Sequence, residues 1–129
     1  MQLYFDNAAT SFPKPSCVLD AMIDYHEKCG ASPGRGAYAQ AGEATEVLHK
    51  CRTLLCELVH APTESQCIFT LNCTDALNLA IHGIAQHFKN EVHIVTTAMD
   101  HNSVLRPLHA LQKQNVSHTV VAACPETGL

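Results

Sequence analysis

The 129-residue chain is 47% hydrophobic and 16% charged, with 8 basic against 12 acidic side chains and a net charge of −4. That composition is enough for one domain with a real core and excludes an intrinsically disordered segment. The basic residues are scattered singly, which leaves no electrostatic footprint for a nucleic acid, and no apolar run approaches the roughly 20 residues of a membrane span, so neither is an expected partner.

Met1 to Thr10 carries Asp6 and no basic run ahead of an apolar stretch, so it does not read as an export signal, and the chain is expected in the cytoplasm. The cysteines, at 17, 29, 51, 56, 67, 73 and 124, are odd in number and contain no C-x-x-C pair, which reads as mostly reduced thiols. Nine histidines raise the question of a metal. His49, Cys51 and Cys56 fall on one helix with no second ligand pair at zinc-finger spacing, and no metal site is expected.

In chain order, Leu3 to Ser11 reads as an extended arm, and Phe12-Pro13-Lys14-Pro15 holds off any helix until Pro15, which suits a first helical turn. From Cys17 to Cys29, Val18, Leu19, Met22, Tyr25 and Cys29 recur at three- and four-residue steps, and Gly30 supplies a left-handed stop. Ala31 to Gly36 is an irregular loop whose lone guanidinium, Arg35, suits either an anion or plain turn chemistry. A second helix is expected over Glu43 to His60, with Ala44, Leu48, Cys51, Leu55 and Leu58 on its packing stripe and Pro62 beyond its end.

After Ser65 the character changes. Cys67 to Thr70 reads as a strand, Asp75 to Phe88 as a helix with Leu77, Ile81, Ile84 and Phe88 inward, and Val92 to Thr97 as a strand. Ser103 to Gln114 reads as a helix with Val104, Leu108 and Leu111 inward, and Ser117 to Ala123 as a third strand. Residues 1–65 are therefore an amino-terminal arm with two helices, and residues 66–129 the start of a β-α-β-α-β domain. The expected fold class is α/β: three layers, α/β/α, with a mostly parallel sheet, right-handed crossovers and helices on both faces. Cys124 to Leu129 is turn-like just where an open α/β fold sends in its next element, so the domain reads as incomplete.

Ligands of parallel sheets bind outside the carboxyl ends of the strands, and Leu71 to Thr74 and Ala98 to Asn102 both fall on that edge. At the first, free backbone N–H groups, the helix dipole and the Thr74 hydroxyl can converge on a phosphate, with the small Cys73 leaving room. Equally, Asn72 or Thr74 can simply cap the helix. At the second, His101 can be a base, a stacking partner or neither, while Asn102 or Ser103 can cap the helix that follows.

Four runs then resemble one family in order along the chain. They are Tyr4-Phe5-Asp6-Asn7-Ala8-Ala9-Thr10-Ser11, Ser32-Pro33-Gly34-Arg35-Gly36, Phe69 through Leu79, and Asp100-His101-Asn102-Ser103 through Leu108. They resemble the cysteine desulfurase and selenocysteine lyase-like branch of the class V aminotransferases. The resemblance implies the amino-terminal part of the aspartate aminotransferase-like large domain, pyridoxal 5'-phosphate as cofactor, and a homodimer. The implied reaction removes sulfur or selenium from a small amino acid, cysteine or selenocysteine, to leave alanine.

By that resemblance Cys73 and Thr74 hold the cofactor phosphate, and His101 stacks on the pyridine ring and moves protons. Asn7 and Ala8 match the arm that lines the substrate site, and Arg35 matches a loop near the dimer interface. Two motifs depart from the family pattern: Asn72-Cys73-Thr74 stands for Gly-Ala-Thr or Asn-Ala-Thr, and Arg35-Gly36-Ala37-Tyr38 stands for Arg-Gly-x-His. The lysines, Lys14, Lys28, Lys50, Lys89 and Lys113, each fall on a polar helix face or loop, and none lies in a segment resembling that of the family's cofactor-binding lysine. The expectation is a chain inactive by itself, with no covalent cofactor attachment, completed by a polypeptide carrying the remaining half. The alternatives are a non-catalytic binding or assembly module and a decayed gene fragment.

Overall fold

The structure, a computed structural model, describes residues 3–89, 91–124 and 126–128. The chain divides into two compact units, Met1–Cys67 and Ile68–Leu129.

In the first unit the arm is not extended as expected. The Ala9 and Thr10 N–H groups donate to Asp6 O at 3.1 and 3.4 Å, and the Tyr4 hydroxyl lies 2.9 Å from Asp6 O and 2.8 Å from Thr10 O. These bonds curl residues 6–10 into a turn, and the Tyr4 and Phe12 rings close it edge to face at 5.5 Å. Helix α1 spans Ser16–Lys28, with Pro15 at its N-cap. It stops because Gly30, at φ +52, turns left-handed and donates to Tyr25 O at 2.8 Å.

Helix α2 spans Ala39–Val59, starting four residues before the expected Glu43. Ala39, Gln40 and Ala41 are strong helix formers, and they carry the helix back to Tyr38. His60 ends it in the left-handed region, with Ala61 N–H donating to Cys56 O at 2.9 Å. The buried positions of α2 are Ala41, Ala44 and Cys56; of the expected stripe Ala44 is buried, whereas Leu55 and Leu58 are 39% and 76% exposed. A single 3-10 turn, Glu64–Gln66, follows.

Cys67 to Thr70, where the first unit ends and the second begins, is not a strand. A strand exists only by pairing with a neighbour, and among the described residues the sheet has two members, neither of them this segment. Helix α3 spans Cys73–His87, β1 His93–Thr97, α4 Asn102–Gln112 and β2 Ser117–Val121. β1 and β2 are parallel, in register from His93 opposite Ser117 to Thr97 opposite Val121. The parallel α/β arrangement follows the expectation.

Ala85 of α3, Leu111 of α4 and Val116 form the core, with Ile81, Val92 and Ile94 packed against them. Ala85 is the fully buried position of α3, whereas Ile84 and Phe88, both expected inside, are about half exposed. Within this unit the core lies on the sheet face of Ile94 and the buried Thr96, and Val95 on the other face is 65% exposed. The second helical layer expected over that face is not among the described residues of this unit.

Candidate active site

The core sets where the helix ends fall. Ala85, Leu111, Val92 and Val116 bring the C-terminal parts of α3 and α4 to the amino ends of the strands. Twelve residues of helix back from Ala85 to Cys73 rise about 18 Å, and nine back from Leu111 to Asn102 about 14 Å. Both helices therefore run from the carboxyl edge of the strands toward their amino ends.

At the α3 terminus, Asn72 is the cap: its Oδ1 accepts from Asp75 N–H at 2.8 Å. Thr70 Oγ1 donates to Asn72 O at 2.9 Å and Asn78 Nδ2 to Thr74 O at 2.9 Å, which hold the turn from both sides. The cap satisfies only the third N–H of the helix. The N–H groups of Cys73 and Thr74, first and second in the helix, have no intrahelical acceptor, and the Thr74 hydroxyl has no protein partner among the described residues. All three lie at exposed residues, and the positive end of the helix dipole points the same way.

At the second loop, Asp100 rather than His101 ties the chain to the strand. Its Oδ2 accepts from the Thr96 hydroxyl and from Thr97 N–H at 2.8 Å, and these bonds, that from Thr96 foremost, hold its carboxyl below the usual range. Asp100 was missed as a structural residue; its place three residues beyond a strand of hydroxyl-bearing threonines was the available signal. His101 is itself the cap of α4, a role expected of Asn102 or Ser103. Its Nδ1 accepts from Ser103 N–H at 3.1 Å and lies 2.9 Å from the Ser103 hydroxyl. An accepting Nδ1 leaves the proton of the neutral ring on Nε2, which has no partner among the described residues.

The other expected site residues belong to the first unit. Asn7 Oδ1 accepts from Phe12 N–H at 3.4 Å and so closes the arm turn that exposes Ala8. Arg35 is exposed, and among the described residues its guanidinium has no protein partner. Its loop is pinned to α2 through Thr45, whose Oγ1 accepts from Gly34 N–H at 3.1 Å and donates to Ala41 O at 2.8 Å.

No lysine of the second unit approaches the helix N-termini. Lys89 follows α3 and Lys113 caps the C-terminus of α4, both at the opposite edge. An open cavity of about 650 Å³, lined by Lys89, Glu91, His93, Gln114 and Ser117 among others, lies at that edge too. That concavity and the exposed donors at Cys73 and Thr74 therefore do not coincide. Among the described residues no cluster of three or more His, Cys, Asp or Glu could hold a metal ion, and no helix is long and apolar enough to cross a membrane.

The family model described as aminotransferase class-V matches residues 3–129. A probable cysteine desulfurase of Streptomyces coelicolor is 36% identical over 117 residues, covering 87% of this chain and 28% of its own length. A solved apo cysteine desulfurase from Thermococcus onnurineus superposes with a TM-score of 0.78 at 31% identity, over 95% of this chain and 30% of its own. A NifS-like protein reaches a TM-score of 0.81 at 26% identity over 33% of its length. A further chain, solved in complex with cysteine, reaches 0.79 at 27% identity. The chain thus spans about a third or less of the length of these relatives, and it belongs to the class V aminotransferase family.

Proposed function

We propose that this chain supplies the phosphate-holding and ring-facing part of a pyridoxal 5'-phosphate site in a cysteine desulfurase-type enzyme. The observation that carries the reading is the pair of N–H groups at Cys73 and Thr74 without an acceptor among the described residues, with the Thr74 hydroxyl beside them, at the same strand edge as His101 Nε2. These donors fit a phosphate dianion, whose affinity for a helix N-terminus is dictated by the dipole and the orphan N–H groups together.

Thr74 and the backbone of Cys73 and Thr74 bind and orient the phosphate, and Cys73 contributes only its small size. When bound, pyridoxal phosphate supplies an electron-withdrawing ring that makes bonds to the substrate's α-carbon labile. His101 faces that ring. Its Nδ1 accepts from Ser103 N–H, which fixes the imidazole and leaves the proton of the neutral ring on Nε2, the atom through which His101 exchanges protons. Asn7, Ala8 and Arg35 contribute to the substrate side. The substrate class is cysteine or selenocysteine, giving alanine, in keeping with the cysteine bound by one structural relative.

The cofactor-binding lysine lies outside residues 1–129. Lys14 is bonded to Thr10 Oγ1 and Ser11 O, both at 2.9 Å, Lys28 to Asp24 at 3.0 Å, Lys50 lies exposed along α2 of the first unit, and Lys89 and Lys113 sit at the wrong edge. Residues 1–129 alone are therefore inactive. The working enzyme is a cytoplasmic homodimer in which further polypeptide, continuing this chain or separate from it, supplies the remaining two thirds of the relatives' length.

The test is to combine the chain with a polypeptide carrying that remainder, and to measure alanine release from cysteine and the lysine labelled after borohydride reduction. Activity should need both parts, and the pyridoxyl label should map to the added polypeptide. Stoichiometric labelling of Lys14, Lys28, Lys50, Lys89 or Lys113, or alanine release by the chain alone, would contradict the reading.

A further inference from the structure

Four residues, Ala98 to His101, carry the chain from β1 to α4. Ala98 still belongs to the sheet, its N–H donating to Val121 O at 2.9 Å. Beyond it the ladder ends, and Asp100 fixes the loop. Its N–H donates to Thr97 O at 3.2 Å, and its Oδ2 accepts from Thr97 N–H at 2.8 Å and from the hydroxyl of Thr96, which is 5% exposed. Backbone groups of successive strand residues alternate between the two edges, so with Ala98 bonded to β2 the Thr97 N–H points to the opposite edge. Asp100 supplies the acceptor that no strand supplies there among the described residues.

His101 follows directly, and α4 holds it from the other side. His101 O accepts from Val104 N–H at 2.8 Å and from Leu105 N–H at 3.3 Å, and Nδ1 accepts from Ser103 N–H at 3.1 Å. Those bonds fix the ring to the helix and not to the sheet. The helix itself is seated further on, through the buried Pro107, Leu108 and Leu111. The Asp100 clamp is thus the contact that sets where the imidazole stands relative to the carboxyl end of β1.

We infer that Asp100 is a positioning residue for His101, an inference that rests on the proton-exchanging role proposed for His101 above. Proton transfer needs donor and acceptor within about 2.6–3.2 Å, and a displacement of about 1 Å can cost about 100-fold in rate. One carboxylate oxygen takes both bonds from β1, so the geometry calls for an acceptor at Oδ2 rather than for a negative charge. An amide oxygen in the same place serves. A methyl group leaves the buried Thr96 hydroxyl and the Thr97 N–H without their acceptor and frees the loop.

The experiment has two arms. In the enzyme completed with the remaining polypeptide, cofactor affinity and turnover are measured for Asp100→Ala, Asp100→Asn, His101→Ala, and Asp100→Ala combined with His101→Ala. Asp100→Ala should lower turnover about 10- to 100-fold and keep cofactor affinity, since Cys73 and Thr74 lie on another loop. Asp100→Asn should recover most of the loss. In the His101→Ala background Asp100→Ala should cost nothing more, because a residue that acts through His101 then has nothing to position. A residue that merely supported the fold would lower turnover in both backgrounds alike. In residues 1–129 alone, without cofactor, the Ser103 amide should lose its protection from hydrogen exchange in Asp100→Ala, as the freed loop lets the cap open, and keep it in Asp100→Asn. Where Asp100→Ala does not fold, Thr96→Val removes one of the two donors at nearly constant volume and should lower turnover in the same direction, again only while His101 is present.

Full turnover in Asp100→Ala, or in Thr96→Val where that variant stands in for it, together with a loss in His101→Ala would overturn the inference and leave the role of His101 standing. So would an equal loss in both backgrounds, an Asp100→Asn variant no better than Asp100→Ala, or an unchanged Ser103 amide. Full turnover in His101→Ala would strike the role of His101 itself, and this inference with it.

Discussion

Asp100 is worth following at the scale of one residue, because it holds the loop that carries His101. Its carboxylate accepts from Thr96 and Thr97 in the folded chain, and its pKa is lowered there. A carboxylate whose folded pKa lies below its unfolded value adds stability that is fully present above the unfolded pKa and is lost as pH falls through the folded one. Glu64, lowered by bonds from Thr53 and then His49, acts in the same direction. Thermal midpoints measured across the acid range should therefore fall less steeply with decreasing pH in Asp100→Asn than in the unsubstituted chain, with Glu64 keeping part of the slope. Parallel curves would contradict the role given to Asp100. Gly36 makes a second residue-scale prediction. A Cβ there would lie 2.3 Å from Tyr38 Cε1 and 2.9 Å from the Cβ of the buried Ala41. The Tyr38 ring can move but the helix-borne Ala41 cannot, so Gly36→Ala should cost about 1–3 kcal/mol by overpacking, read from urea unfolding. An unchanged midpoint would show that the loop yields freely.

Among the elements, α3 depends on its cap more than on its packing, since most of its residues are exposed and Ala85 alone is buried. Asn72→Ala should cost about 1 kcal/mol and reduce helical circular dichroism, the usual effect of removing an N-cap side chain; no loss in either would mean that Asn72 is not the cap that orders this terminus. The same elements show what the sequence makes legible. α4 could be read closely, because Leu108 and Leu111 are buried within the unit that contains them, each 1% exposed. The Gly30 stop and β1 were legible for local reasons, left-handed geometry and a run of β-branched residues. The strand at Cys67 to Thr70 was not, because its local preference says nothing about whether a neighbour is present to pair with it. The α2 stripe failed similarly: apolar periodicity marks a face capable of burial and leaves open what covers it. At the site, the motif at Asn72 to Thr74 was readable as a helix start, but the cap falling on Asn72 and leaving Cys73 and Thr74 free had to come from the structure. So did His101 capping its own helix.

For the molecule as a whole, the exposed apolar surface is the dominant feature. Leu19 and Met22 of α1 are 61% and 65% exposed, Leu58 of α2 76%, and Val95 and Val121 on the uncovered sheet face 65% and 49%. Each outer edge of the two-stranded sheet also lacks a partner among the described residues. Surfaces of this kind associate, through apolar contact and through strand edges. Size-exclusion chromatography with light scattering should find residues 1–129 oligomeric or poorly soluble at micromolar concentration, and a stable, monodisperse monomer would contradict that account.

The central claim, that α3 holds a phosphate through Thr74 while His101 serves the chemistry, is tested most directly by three substitutions in the enzyme completed with the remaining polypeptide. Cofactor affinity and alanine release from cysteine are measured for each. Thr74→Ala should weaken pyridoxal phosphate binding by about 1.5–3 kcal/mol, the cost of a hydrogen bond to a charged group. His101→Ala should keep the cofactor and lower turnover by about 10²- to 10⁴-fold, as general acid–base groups do. Cys73→Ala should be nearly silent in both. Abolished activity in Cys73→Ala together with full activity in His101→Ala would contradict the assignment of both loops.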